Sequence, residues 1–192
     1  EKPFAAMFSS LNAVREACQV TREEANLLES PQRPIVLLKA REGGGRPGIA
    51  PGVAPRNRFL GVMLPYTPLH FLLFDGGCYD VLVMTSGNQS DEPMAMANEE
   101  ARERLGGIAD CFLLHDRDIH MRCDDSVARV LGGKPRPLRR ARGYVPAPVF
   151  LREPGPSVLG VGAELKSAVC LTRGREAFLS QHSGDLENLE TP

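Results

Sequence analysis

Val83-Met84-Thr85-Ser86-Gly87-Asn88-Gln89-Ser90-Asp91-Glu92-Pro93 is an apolar run that breaks abruptly into a turn of small hydrogen-bonding side chains. Tyr79 to Met84 reads as a buried strand, and Glu92 to Leu105 as a helix, so the turn sits at a strand's C-terminal end. In open α/β sheets ligands gather there. Within Thr85-Ser86-Gly87-Asn88 a glycine able to take positive φ stands beside a hydroxyl, a carboxamide and backbone N–H groups, which together suit an anion. An ordinary connecting loop would carry the same residue types, so spacing alone leaves both readings open.

On both sides of this turn, strands and helices alternate. Pro3 to Phe8 reads as a strand, Ser10 to Cys18 as a helix capped by Ser10, and Glu23 to Leu28 as a second helix, with Thr21 three residues before Glu24. Ile35 to Lys39, Phe59 to Leu64, Ile108 to Leu114 and Asp125 to Leu131 read as further strands, and Leu69 to Phe74 as an apolar helix. Such alternation predicts an α/β sheet with helices on its faces. Gly43-Gly44-Gly45-Arg46-Pro47-Gly48 is not followed by Gly-Lys-Ser/Thr, which argues for a flexible connection over a P-loop. Four prolines between 146 and 156 suggest an interdomain connection. Val158 to Gly162, Ala168 to Thr172 and Glu176 to Gln181 then read as three short strands of a second domain.

Composition narrows the function classes. At 192 residues, 42% hydrophobic and 24% charged, the chain can bury a sizeable core. A formal net charge of −1 argues against bulk, salt-driven nucleic-acid binding. The five cysteines, Cys18, Cys78, Cys111, Cys123 and Cys170, are scattered, odd in number and never spaced Cys-x-x-Cys, as suits reduced thiols in a cytoplasm. No stretch has the length and apolarity of a membrane span, and the first residues read as the interior of a longer chain.

Two further constellations have the chemistry of a polyphosphate site. Arg122-Cys123-Asp124-Asp125-Ser126 combines carboxylates, a hydroxyl and a guanidinium, and Arg139-Arg140-Ala141-Arg142-Gly143-Tyr144 is a dense cationic turn. A guanidinium fork matches phosphate oxygens, each charge-assisted bond contributing roughly 1.5 to 3 kcal/mol. Solvated surface charge is the competing reading. Asp124 and Asp125 have the donor chemistry for Mg²⁺, but an aspartate pair beside arginines reads equally well as a salt-bridged turn, and neither is assigned as a metal ligand. Cys111, His115, His120 and Cys123 have poor zinc spacing, and Cys111 falls in a strand predicted to be buried, which makes it a core thiol. His70 and His182 read as packing or turn residues.

The order of several long motifs resembles the HypF carbamoyltransferases, maturation factors of [NiFe]-hydrogenases. The matching stretches begin with Lys2 to Ala5, Ser30 to Leu38, Ile49 to Pro55, Gly61 to His70, and Met84 to Asn88. They continue with Asp124 to Val127, Arg139 to Pro146, Gly162 to Lys166 and Ser180 to Asn188. The resemblance implies a YrdC-like open twisted mixed sheet flanked by helices over residues 1–145 and a Pro-rich linker at 146–156. From 157 to 192 it implies the first strands of a Kae1-like domain of the actin/hexokinase ATPase type. It also implies that an acylphosphatase domain, zinc fingers and a Lys-x-Arg motif lie upstream of Lys2 in the family. Asp91 stands where the family pattern has glycine after Ser90, and it adds a negative charge beside the loop.

The activity so implied is adenylate transfer from ATP, with Mg²⁺, to carbamate derived from carbamoyl phosphate. The carbamoyl group would pass to the C-terminal cysteine of HypE. By the same resemblance, Ser86 and Asn88 of the Ser-x-Asn pattern, with Thr85 and Gly87 beside them, would bind nucleotide phosphates. Ser126 would contact the carbamoyl moiety and Arg140 or Arg142 phosphate, while Arg122, from the residue cluster described above, is counted in the same nucleotide and substrate site. Two alternatives stand beside it. One is a threonylcarbamoyl-adenylate synthase for tRNA modification, and the other a noncatalytic RNA-binding module using the arginines near residue 140.

Overall fold

The computed structural model describes residues 3–41, 49–89, 92–163 and 167–181. The glycine connection at 43–48, Lys2, Ser90, Asp91, Glu164 to Lys166 and everything from His182 onward lie outside them. The chain forms two compact units, Glu1–Thr85 with Asp125–Gly143, and Ser86–Asp124 with Tyr144–Pro192.

In the first unit, β1 (Ala5–Phe8) begins a six-stranded mixed sheet. The sheet also contains β2 (Ile35–Lys39), β3 (Phe59–Met63), β4 (Val81–Met84), β5 (Val127–Leu131) and β6 (Lys134–Arg139), in the order β4-β1-β3-β2-β5-β6. β1 runs parallel to β3 and β2 parallel to β5, whereas β1–β4, β2–β3 and β5–β6 are antiparallel. This is the mixed α/β architecture that the strand and helix alternation implied.

Its central strands carry the core. Ala6, Met7, Leu60, Val62, Met63, Val36 and Leu38 are fully buried, and Phe8 nearly so. Removing one such side chain from water contributes about 1.5–3 kcal/mol. Two short helices, α1 (Leu11–Ala17) and α2 (Arg22–Leu28), add Val14, Ala17, Leu27 and Leu28. Both start where the sequence places their caps. Ser10 Oγ accepts from the Ala13 N–H at 3.2 Å. Thr21 and Glu24 form a reciprocal capping box at 3.2 and 2.8 Å. A third helix, α3 (Pro68–Phe74), starts at Thr67, whose Oγ1 accepts from the His70 N–H at 3.3 Å, with Pro68 pre-set for the first turn.

Two expectations about this unit change, and one strand appears where none was expected. The strand ending in the Thr85 turn is not buried: β4 is a sheet edge and Val83 is 54% exposed. An apolar run says that a strand is favourable but not how many neighbours it has. Asp125 does not join β5, which starts at Val127; its backbone makes an isolated bridge to Arg142 instead. Finally, Lys134 to Arg139, with two prolines, is a strand that the sequence hides. As the outer edge it tolerates residues that cannot donate to a ladder.

The second unit holds α4 (Asn98–Leu105) and a three-stranded antiparallel sheet ordered β7-β9-β8. Its strands are β7 (Val149–Gly155), β8 (Leu159–Val161) and β9 (Val169–Leu179). β7 falls inside the proline-rich stretch 146–156. The two last predicted strands are one, β9, which passes through Gly174 at φ +58°.

Ile108 to Leu114 forms no strand. Ile108 and Leu113 are 68% and 69% exposed, and the Ile108 and Ala109 N–H groups close the end of α4 on Leu105 O. An apolar run without a partner edge gains no ladder. Cys111 is accordingly exposed, not a core thiol. Among the described residues no cluster of three or more His, Cys, Asp or Glu could hold a metal, and no helix is long and apolar enough to cross a membrane.

Candidate functional site

The Thr85–Asn88 turn is a braced loop. Thr85, Ser86 and Gly87 are exposed, and Asn88 is half-buried. Ser86 Oγ donates to Asn88 Oδ1. The Asn88 amide nitrogen donates to Gln89 O at 2.6 Å and Glu92 O at 3.0 Å. Two carbonyl acceptors on that nitrogen fix which end of the carboxamide is which. The Asn88 N–H reaches Ser86 O at 3.0 Å, and the Ala95 N–H reaches Gly87 O at 2.9 Å. Asn88 therefore shapes the loop from within, and for Ser86 to donate to an anion its proton must turn away from Asn88.

Gly87 departs from expectation, because its φ lies outside the left-handed region. A Cβ there would meet only Leu105 Cδ1, at 3.8 Å. The bend at Gly87 and Asn88 therefore needs no left-handed residue at this position.

The loop's downstream arm explains why α4 begins at Asn98 and not at Glu92. Between Glu92 and Ala97 the backbone groups already have partners outside a helix. Arg104 Nη2 donates to Pro93 O at 2.6 Å, and Arg122 Nε to Met94 O at 2.6 Å. Glu100 Oε2 accepts from the Met96 and Ala97 N–H groups at 2.9 and 3.3 Å. The Met96 N–H and the Arg104 guanidinium together hold the Glu100 carboxyl below its ordinary range. Arg122 thus serves the arm directly; its Nη2 lies 3.9 Å from Glu100, and its carbonyl accepts from Gln181 Nε2 at 2.6 Å.

In the first unit the structure joins Ser126 and Arg142. Ser126, fully buried, accepts from the Ala141 N–H at 2.7 Å and donates to Arg142 O at 2.9 Å, tying the start of β5 to the turn after β6. Its proton and one lone pair are thus both engaged inside the fold. Arg142 is held on four sides. Nε donates to Asp125 Oδ1 at 2.6 Å, Nη1 to Gln32 O at 3.3 Å and Nη2 to Arg33 O at 2.8 Å. Its guanidinium carbon also lies 3.4 Å from the Tyr66 ring centroid.

The two carbonyls come from a turn in which Arg33 takes φ +43°, a left-handed conformation that an ordinary side chain holds only when its surroundings fix it. Gly143, at φ +85°, lets the two turns touch, since a Cβ there would stand 2.3 Å from Gln32 O. His70 packs edge-on against Tyr66 with ring centroids 4.4 Å apart, and its Nδ1 accepts from the Tyr66 N–H at 3.5 Å. Burial first, then the Arg142 charge, lowers the His70 pKa, with Asp125 acting in the opposite sense.

The predicted residues thus fall into two groups. Ser86, Gly87, Asn88 and Arg122 belong to the second unit, and Thr85, Ser126, Arg140 and Arg142 to the first. Within the first, the end of β4 and the start of β5 are four strand positions apart, about 19 Å at the usual spacing. Arg140 is half-buried. Of the arginine pair left open by the motif, Arg142 has its role defined by contacts inside the fold. Sequence reading missed Tyr66 and Gln32 as partners of Arg142, whereas Asp125 realises the salt-bridged alternative raised for the aspartate pair, with an arginine farther along the chain. A tyrosine and a main-chain carbonyl carry no local signal of a guanidinium more than a dozen positions away.

Comparison with known proteins agrees with this architecture. Residues 1–141 match the Sua5_yciO_yrdC family model, described as "Telomere recombination", and residues 153–192 match the "HypF Kae1-like domain" model. The chain is 50% identical to carbamoyltransferase HypF2 of Cupriavidus necator over 100% of its own length and 25% of that protein's. It superposes with a TM-score of 0.88, at 48% identity, on a crystal structure of full-length HypF described as the phosphate- and nucleotide-bound form. That match covers 99% of this chain and 30% of that one. P. abyssi Sua5 complexed with L-threonine, at 16% identity and a TM-score of 0.58 over 73% of this chain and 40% of that one, shares the fold. The chain spans about a quarter of the length of the curated relatives it matches. It belongs to the Sua5/YciO/YrdC family, with a segment behind that module, residues 153–192, that matches the HypF Kae1-like domain.

Proposed function

We propose that this chain supplies the adenylate-forming module of a carbamoyltransferase acting in [NiFe]-hydrogenase maturation. The observation that carries the reading is its 50% identity, over its whole length, to a curated carbamoyltransferase. In the proposed reaction water first hydrolyses carbamoyl phosphate to carbamate and inorganic phosphate, and a carbamate oxygen then attacks the α-phosphorus of ATP. The bond to the β-phosphate oxygen breaks, giving carbamoyl-adenylate and pyrophosphate.

Such a transfer needs positioning and charge compensation more than covalent chemistry. The exposed Ser86–Asn88 loop offers a hydroxyl for the phosphates. Arg142, pinned by Asp125 and two carbonyls, keeps the Ser126 turn in place. Mg²⁺ bound together with ATP would offset charge on the leaving pyrophosphate, and no residue of this chain is assigned to hold it. The carbamoyl group would then pass, within the longer protein, to the C-terminal cysteine of a HypE partner.

Threonylcarbamoyl-adenylate synthesis is the nearest alternative, and the Sua5 likeness supports it only at the level of fold. An RNA-binding reading relies on the arginines near residue 140, of which Arg142 is already engaged within the fold.

The test is calorimetric titration of Mg-ATP into the chain, paired with ATP–pyrophosphate exchange. Carbamoyl phosphate should stimulate exchange where threonine with bicarbonate does not, and Ser86→Ala should weaken ATP binding by roughly ten- to a hundredfold, the equivalent of one lost charge-assisted bond. A folded chain that shows no saturable ATP binding would refute the assignment.

A further inference from the structure

We propose that Arg104, in the last turn of α4, is the positioning residue of the Ser86–Asn88 loop. The inference rests on the nucleotide-binding reading above and extends it to a residue that the phosphate motif does not contain. Arg104 grips the loop at two points. Its main-chain carbonyl accepts from Gln89 Nε2 at 2.7 Å. Its guanidinium donates to Glu92 Oε2 at 2.9 Å and to Pro93 O at 2.6 Å, and Glu100 Oε1, one helical turn back, orients it at 2.5 Å.

Asn88 spans the interval between those two points. Its amide nitrogen donates both to Gln89 O and to Glu92 O, and its Oδ1 accepts from Ser86 Oγ. From Arg104 to the hydroxyl proposed to meet phosphate, the path is Glu92, Asn88, Ser86. It needs no contact between Arg104 and a ligand.

A planar fork is required here. One Nη2 serves both a carboxylate and a carbonyl while Nη1 holds a second carboxylate, an arrangement that a single lysine ammonium reproduces poorly. The side chain is 21% exposed, so the contacts are only partly screened by water. Glu92 carries the path at its side chain and at its carbonyl alike, whereas Pro93 and Gln89 tie the loop independently of it.

The experiment uses the chain and three variants, Arg104→Gln, Arg104→Lys and Glu92→Gln, with Ser86→Ala for a double-mutant cycle. Amide hydrogen exchange at Asn88 and Ala95, whose N–H groups close the loop, is read first, without nucleotide. Arg104→Gln should speed exchange at both while β1 and β3 amides keep their parent protection, and Arg104→Lys should recover part of the loss.

Mg-ATP titration follows. Arg104→Gln should weaken binding on the order of tenfold, Glu92→Gln less. Added to Ser86→Ala it should have almost no further effect, because both changes act on one path. Parent exchange rates at Asn88 and Ala95 in Arg104→Gln would overturn the proposal, as would full additivity with Ser86→Ala. Faster exchange in a chain whose parent binds no Mg-ATP would leave Arg104 as the residue that positions the loop and would overturn the nucleotide reading instead.

Discussion

Gly143→Ala tests the contact between the arginine turn and the residues before β2. Gly143 has φ +85°, where an L side chain pushes Cβ toward the following carbonyl, at a cost of roughly 1–2 kcal/mol. The Cβ would also stand 2.3 Å from Gln32 O, 2.8 Å from Gln32 Cα and 3.0 Å from Gln32 C. These are backbone atoms that cannot rotate aside, so the two turns must separate.

Separation draws Arg142 from Gln32 O and Arg33 O, now at 3.3 and 2.8 Å. Losing one such charged bond adds about 1.5–3 kcal/mol. The total is about 2.5–5 kcal/mol, a large share of a typical domain's stability.

Urea denaturation followed by far-UV circular dichroism measures it, with Gly87→Ala as the control. A Cβ at Gly87 meets only Leu105 Cδ1 at 3.8 Å, so that change should stay within about 0.5 kcal/mol of the parent. If Gly143→Ala also falls within that range, the turns are not in the contact described and the account of Arg142 as a pinned guanidinium fails.

Two further outcomes follow from the same cluster. Ser126→Ala removes the acceptor of the Ala141 N–H inside a fully buried environment, so it should destabilise the chain by about 1–3 kcal/mol in the same urea assay, whereas a near-neutral result would mean that water replaces the hydroxyl. His70, with its folded pKa lowered from 6.5, binds a proton more readily unfolded than folded. Stability should therefore be full above about pH 6.5 and fall as pH drops from there toward the folded pKa, and His70→Gln should flatten that slope in melts between pH 7.5 and 5.

Local chemistry was legible before any coordinates. Ser10, Thr21 with Glu24, and Thr67 with Pro68 start their helices where sequence places them, because capping involves only atoms three or four residues apart. β2 occupies the predicted residues, and β1 and β3 lie within theirs, because their apolar density suits only a doubly covered position. The succession of motifs from Ser30 to Tyr144 likewise identified the family, since each stretch is a contiguous string.

Whatever depends on a distant neighbour was decided by tertiary structure. β4 is an edge and β6 a proline-bearing strand because of where the sheet stops, which no local pattern records. Ile108 to Leu114 is apolar but finds no ladder, and Glu92 to Ala97 looks helical yet donates and accepts elsewhere. The arginine-rich turn shows the division most clearly. Sequence marks three guanidinium groups as equivalent, and only folding brings Asp125, Tyr66, Gln32 and Arg33 around Arg142. A long flexible side chain takes its role from the acceptors placed within its reach, and those arrive from parts of the chain up to 110 residues away.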